Sequence, residues 1–175
     1  MLGTSDCNVI IASSQLVQDP HLQSKIESAI CKLAISPNGK FIAYYRRDGV
    51  LTVISSSFTT KILDFDTRSE SQPLDLVWCG SDSLVLLWSS GVVMVVGPYG
   101  DWLDLPMDAP TITTGSRISS SPIYLISEVD CCRIITSTKH EILQKLSISL
   151  EAIHQIGSTH PAALIYDSMT AHDQV

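Results

Sequence analysis

A chain that must reverse direction again and again has few folds open to it, and the stretch KLAISPNGKFIAYYRRDGVLTVIS at residues 32–55 carries two such reversals. The short apolar run 33–36 ends in Ser36-Pro37-Asn38-Gly39-Lys40. Proline presets φ for the second position of a turn and Asn-Gly tolerates positive φ, so a hairpin is expected there. Residues 41–45 then run out to Arg46-Arg47-Asp48-Gly49, and the β-branched run 50–54 returns from that Asp-Gly turn. After Ser55-Ser56-Ser57 a fourth run follows at 60–65. Four short strands joined by short turns have the size of one β-propeller blade, for which a repeat of about 40–45 residues is typical.

The plan then recurs. Residues 74–79, 83–88, 92–96 and 102–105 form a second set, separated by Gly80-Ser81-Asp82, Ser89-Ser90-Gly91 and Gly97-Pro98-Tyr99-Gly100-Asp101. Alternation within these runs is imperfect, as expected of strands buried on both faces. A polar, serine-rich interval at 111–121 precedes the runs 123–126, 132–136 and 141–146, a third and less complete blade. The expected fold is mainly β: a partial β-propeller of two to three antiparallel blades over 32–146, too few to close a ring.

The pattern changes in 147–175. Ser149 is placed to cap a helix with Glu151 in its first turn, Leu150, Ile153 and Ile156 share a face, and Gly157 is a suitable stop. Pro161 then opens a second helix over 162–171, since proline is tolerated at the first helical position. Each helix is at or below the roughly 12–15 residues at which isolated helices are marginal, so this hairpin reads as the start of an α-solenoid. In the segment 1–31, Leu22, Ile26, Ala29 and Ile30 have helical spacing over 19–30.

Charge and cysteine usage narrow the function. With a formal charge of −7, and Arg46-Arg47 as the only adjacent basic pair, nucleic acid is not an expected partner. Cys7, Cys31, Cys79, Cys131 and Cys132 are odd in number and contain no Cys-x-x-Cys pair, which fits reduced thiols rather than a disulfide framework. The start lacks a basic leader, and the apolar region 84–96 is interrupted by Ser89-Ser90-Gly91, so neither a secretory signal nor a membrane span is expected.

Catalytic signatures are absent from the sequence: no dinucleotide-binding or phosphate-binding glycine pattern and no nucleophile elbow. His140-Glu141 begins like a zinc-protease helix, but Gln144 stands where the second histidine must be, so a strand edge is expected instead. Of Cys131-Cys132, one is expected to pack inward, since neighbours on a strand face opposite ways. Asp64 and Asp66 read as turn or edge residues. Trp78, Trp88, Tyr99 and Trp102 read as packing between blades, Trp102 excepted, because it follows the turn at 97–101. No catalytic, cofactor or metal residue is assigned. The candidate partner contacts are Arg46 and Arg47, in a solvated turn, and Trp102.

The stretches SPNGKFIAYYRRDGVLTVIS, LDLVWCGSDSLVLLW, MVVGPYGDWLDL, RIITSTKHEILQKL and IGSTHPAALIYDSM resemble, in order, the vacuolar protein sorting-associated protein 16 family, at the end of its propeller and the first helices of its solenoid. The resemblance covers roughly 34–173 and is strongest at 77–80, 95–101 and 156–164. It implies a non-catalytic scaffold of the class C core shared by the HOPS and CORVET membrane-tethering complexes, with other class C subunits as partners and no cofactor. It implies a cytoplasmic protein, peripheral on endosome and lysosome or vacuole membranes, acting in intracellular protein transport and vacuole fusion. The family's Sec1/Munc18-type SNARE regulator binds a longer solenoid and is not expected to bind these residues. The family's turn at 128–134 has glycine where Cys131 stands, so a strained hairpin is expected there. Two other functions are compatible with the blades alone: a stand-alone WD40-like interaction module, or a hydrolase with a site between blades.

Overall fold

The computed structural model describes residues 2–3, 9–19, 26–107, 111–114, 117–120, 122–145 and 148–173. It divides into two compact units, Met1–Gln144 and Lys145–Val175.

In the first unit the strands come in sheets whose spatial order follows the chain, so that each strand pairs antiparallel with its sequence neighbour. β1 (Leu2–Gly3), β2 (Val9–Ala12) and β3 (Val17–Gln18) form a three-stranded sheet. β4 (Ile30–Ile35), β5 (Phe41–Arg46), β6 (Val50–Ser55) and β7 (Lys61–Asp66) form the next. β8 (Asp75–Cys79), β9 (Ser83–Leu87), β10 (Val92–Val96) and β11 (Trp102–Pro106) form another four-stranded sheet. β12 (Thr111–Thr114) and β13 (Arg117–Ser120) make a separate hairpin, and β14 (Tyr124–Ser127), β15 (Cys132–Ile135) and β16 (His140–Leu143) a final three-stranded sheet. Among the described residues the sheets do not close into a ring.

The turns form for the reasons their residues suggest. Gly39 N–H donates to the Ser36 carbonyl at 2.8 Å, while the Asn38 side chain accepts from Lys40 N–H at 2.9 Å. The buried Ser36 hydroxyl accepts from Phe41 N–H at 2.9 Å, tying the turn to the strand it launches. At the β5–β6 turn Gly49 has φ +89°, and a methyl there would lie 3.0 Å from the Ser69 carbonyl oxygen. Both the dihedral and the close carbonyl disfavour a side chain.

The central strands feed two cores at once. Ala43 and Tyr45 of β5 point to one side with Leu51 and Val53, where Leu76, Trp78, Leu84, Leu86, Met94 and Val96 of the next sheet meet them. Ile42 and Tyr44 point to the other side, with Val9, Ile26 and Phe58. Val85, Leu87 and Val93 face away from the first of these cores and pack on Leu125, Cys132 and Ile134 of the last sheet. Burying each such side chain stabilises by about 1.5–3 kcal/mol. Two polar tips in the first of these cores find partners: Tyr45 Oη lies 3.0 Å from Thr67 Oγ1, which donates to the Gly49 carbonyl, and Trp88 Nε1 donates to Ser69 Oγ at 2.9 Å.

The second unit is a helical hairpin of α1 (Ile148–His154) and α2 (Pro161–Asp173), with Ala152 and Ala163 buried. Proline begins α2, and the backbone carbonyl and Nδ1 of His160 accept from N–H groups of its first turn.

Differences from expectation are local. A sheet, β1–β3, occupies part of the segment 1–31. Of the expected helix at 19–30, residues 20–25 lie outside the described residues, while 26–29 are irregular and Ile30 opens β4. The serine-rich interval contains the hairpin β12–β13, with Thr111 opposite Ser120. Ser149 lies inside α1 rather than capping it, and Ile156 falls beyond the helix, fully exposed. Cys131 is not strained: the non-glycine residues with positive φ among those described are Phe58 and Arg68, and Glu128 N–H closes the turn on the Cys131 carbonyl at 2.9 Å.

Candidate interaction surface

Where the β4–β7 and β8–β11 sheets face each other, their packing leaves a cleft of about 130 Å³. One wall is Phe41, Val53, Ile62 and Leu63; the other is Trp78, Leu84 and Val96; Ser81, Asp82, Gly97 and Pro98 complete the lining. Strand alternation places most of these wall residues; Ile62 and Leu63, neighbours on β7, both reach the cleft at the irregularity where Val53 pairs with Leu63 and Ile54 with Lys61. The last four residues come from two hairpin turns, β8–β9 and β10–β11.

The β10–β11 turn is held by Gly97 N–H donating to the Asp101 carbonyl at 2.7 Å and Gly100 N–H donating to the Gly97 carbonyl at 3.2 Å. The Asp101 carboxylate folds so closely over Gly97 that a methyl there would collide with it. A methyl on Gly100 would lie 3.7 Å from Leu63, so the turn reaches across to β7 of the neighbouring sheet. Tyr99, at its tip, is 93% exposed. Within the cleft wall Trp78 is only 3% exposed, and its Nε1 has no hydrogen-bond partner.

The residues singled out from the sequence lie on different sheets. Arg46 and Arg47 sit at the β5–β6 turn. Arg46 is spent within the chain: its Nε donates to Asp48 Oδ1 at 3.1 Å and its Nη2 lies 3.1 Å from Asp48 Oδ2. Arg47 is exposed, with its backbone N–H on the Ala29 carbonyl. Trp102, 58% exposed, is on β11, the outer strand of its sheet. Trp78 and Trp88 pack inside as expected; Tyr99 does not, because it occupies a turn rather than a strand. Sequence reasoning did not find the cleft.

Both Cys131 and Cys132 are buried, where one was expected. Burial pushes the Cys132 thiol up to about 12, and burial with the Glu128 carboxylate beside it pushes Cys131 up to about 11. Neither is a thiolate at neutral pH. Glu128, Asp130 and Cys131 bring ligand atoms within 4.8 Å of one another, but Arg133 Nε donates to Glu128 Oε1 at 2.5 Å and already neutralises it. His140 lies on the exposed strand β16, with Nε2 3.2 Å from Arg133 Nη1. Burial would raise the Asp64 carboxyl, but donation from Lys61 and from Thr52 Oγ1 outweighs it and holds the group below its usual range. No helix among the described residues is long and apolar enough to cross a membrane.

Antiparallel four-stranded sheets stacked through both faces define a segment of β-propeller, here followed by a helical pair. The fold is shared with BamB from Moraxella catarrhalis, a β-propeller protein, at TM-score 0.51 and 12% identity over 82% of this chain and 47% of that one. It is likewise similar to BBS1N, solved in complex with ARL6DN, at TM-score 0.51 and 16% identity over 81% of this chain and 49% of that one. The chain belongs to the family described as Vps16, N-terminal region, which it matches over residues 4–174. It is 35% identical over 162 residues to Protein VACUOLELESS1 of Arabidopsis thaliana, covering 90% of this chain and 17% of that protein. It is 30% identical over 159 residues to the vacuolar protein sorting-associated protein 16 homolog of Dictyostelium discoideum, covering 87% of this chain and 18% of that protein. The chain thus spans under a fifth of the length of these relatives.

Proposed function

We propose that this chain is a non-catalytic scaffold segment of a membrane-tethering assembly of the HOPS and CORVET type, serving endosome-to-lysosome or vacuole transport and vacuole fusion. The family match over residues 4–174 carries this reading. Relatives named for vacuolar protein sorting support it. In this reading the chain contributes part of a propeller, roughly 32–146, and the opening helices of an α-solenoid, 147–175. Leu164, Ile165, Tyr166 and Met169 are exposed along α2, the kind of apolar surface that a following solenoid helix covers.

Its partners are other class C tethering subunits, and its site of action is the cytoplasmic surface of endosome and lysosome or vacuole membranes. Arg47 and Trp102 are the partner contacts offered to solvent; Arg46, held by Asp48, supports the turn that presents Arg47. The stand-alone WD40-like module is the weaker reading, because the family match continues through the helical pair. Among the described residues, the Cys131 and Cys132 thiols are held neutral and Asp64 and Glu128 are paired with Lys61 and Arg133, which does not favour a hydrolase.

Affinity capture from yeast cytosol, with the chain as bait, tests the proposal. Recovery of the class C subunits, reduced by Trp102→Ala, supports it. Recovery of none of them while the bait remains folded contradicts it.

A further inference from the structure

We propose that two copies of this chain associate head to tail, the last sheet (β14–β16) of each packing on the first sheet (β1–β3) of the other, so that eight stacked sheets close a ring. The inference does not depend on which assembly the chain joins.

The stack already contains the kind of junction that the dimer repeats. Between the first and second sheets, Val9 and Ile11 meet Ile42, Tyr44 and Ile54. Between the second and third, Tyr45 and Leu51 meet Trp78 and Leu86. Between the third and fourth, Val85 and Val93 meet Leu125 and Ile134. Three apolar cores thus join four sheets, and each inner sheet is covered on both faces.

The register shows that the two end sheets carry the same pattern onto their open faces. In the last sheet Leu125 stands opposite Ile134 and Cys132 opposite Leu143, and these four turn inward to the third sheet. Alternation sends Tyr124, Ile126, Ile135 and Ile142 the other way. Tyr124 is 60%, Ile126 45% and Ile142 58% exposed. In the first sheet Val9 and Ile11 turn inward, which sends Ile10 and Ala12 outward with Val17 opposite Ala12. Val17 is 67% exposed. Each end is therefore an apolar sheet face, the surface that every internal junction buries.

Charge does not oppose the contact. Arg133 shares the outer face of the last sheet with Ile126 and Ile142, its neighbours in register, and it is already paired with Glu128. Repulsion between two chains of formal charge −7 is screened beyond about 8 Å at physiological ionic strength.

Sheet number selects the stoichiometry. Propellers close with roughly four to eight blades, and two stacks of four sheets supply eight. A contact between two different patches ends either in a closed ring or in an open filament. Closure at two copies covers both end faces of each chain, whereas a symmetric contact between two last sheets leaves both first sheets bare.

Sedimentation velocity of the purified chain at micromolar concentrations tests this. The expected species has twice the 19.1 kDa mass of one chain. Ile126→Arg and Val17→Glu, at exposed positions on opposite ends of the stack, are each expected to weaken dimerisation at least tenfold. Mixing the two variants is expected to restore the dimer, because one junction is then parental and the other sets arginine against a carboxylate. The proposal is overturned by a monomer at those concentrations, which leaves the end faces to a different protein, by a dimer sensitive to Ile126→Arg alone, or by open polymers in place of a dimer. Near-ultraviolet circular dichroism of both variants matching the parent keeps a loss of dimer from being a loss of fold.

Discussion

The ring of Phe41 stacks on the indole of Trp78, with centroids 6.2 Å apart and planes inclined by 24°. Phe41 begins β5 and Trp78 lies in β8, so the pair joins two sheets through residues that no hairpin connects. Stacked aromatic pairs contribute about 0.5–1.5 kcal/mol beyond their buried area. Trp78→Ala is expected to cost about 3–5 kcal/mol, as large aromatic truncations in cores do. A urea-unfolding double-mutant cycle with Phe41→Leu and Trp78→Leu should give a coupling of about 1 kcal/mol. Strict additivity would mean that the stack does not join the sheets.

Gly49→Ala combines a positive φ with a methyl 3.0 Å from the Ser69 carbonyl oxygen. The expected loss exceeds the roughly 1–2 kcal/mol that dihedral strain alone costs. Gly39→Ala, also at positive φ but with open space around it, should cost less. Equal midpoints for the two variants in urea would refute the part assigned to the Ser69 contact.

Cys131 and Cys132 should resist alkylation. With thiols raised to about 11 and about 12, a pH 7 exposure to iodoacetamide should leave both unmodified in the folded chain, read by peptide mass spectrometry. Their raised values also fix a direction in pH: the folded state holds its protons more tightly, so stability is full below the unfolded value near 9 and declines as pH rises from there toward the folded values. Thermal unfolding between pH 8 and pH 11 should show that decline, and Cys132→Ala should reduce its slope.

Acid works the other way. Donation from Arg133 and Cys131 depresses the Glu128 carboxyl, and Asp64 is depressed despite burial. A carboxyl with a lowered folded value stabilises above its unfolded value, about 4, and that stability is lost as pH falls through the folded value. Arg133→Ala should bring the Glu128 carboxyl back toward its ordinary range by NMR titration. An unchanged titration would show that the Arg133 ion pair does not form in solution.

The strands were readable because their punctuation was local. Pro37-Asn38-Gly39, Asp48-Gly49 and the glycine turns after β8 and β10 set the reversals within two or three residues, and the β-branched runs between them left one assignment. What was missed has a physical cause in each case. β2 is four residues long and gains its place by packing Val9 on Ile42 and Ile54, partners remote in sequence. β12 and β13 are threonine- and serine-rich, with little apolar alternation to announce them. Cys131 avoids positive φ because the turn closes on its carbonyl, which residue identity does not reveal. The cleft was hidden for the same reason as β2: Phe41 and Val53 come from one sheet, Trp78 and Val96 from another, and only the stacking of sheets brings them together.

The scaffold account is tested by mixing the purified chain with purified class C subunits and following sedimentation velocity. Incorporation of the chain into a heavier, stoichiometric species, weakened by Trp102→Ala and unaffected by Cys131→Ser, is the expected result. A folded chain that sediments alone at micromolar concentrations in the presence of every class C subunit would contradict it.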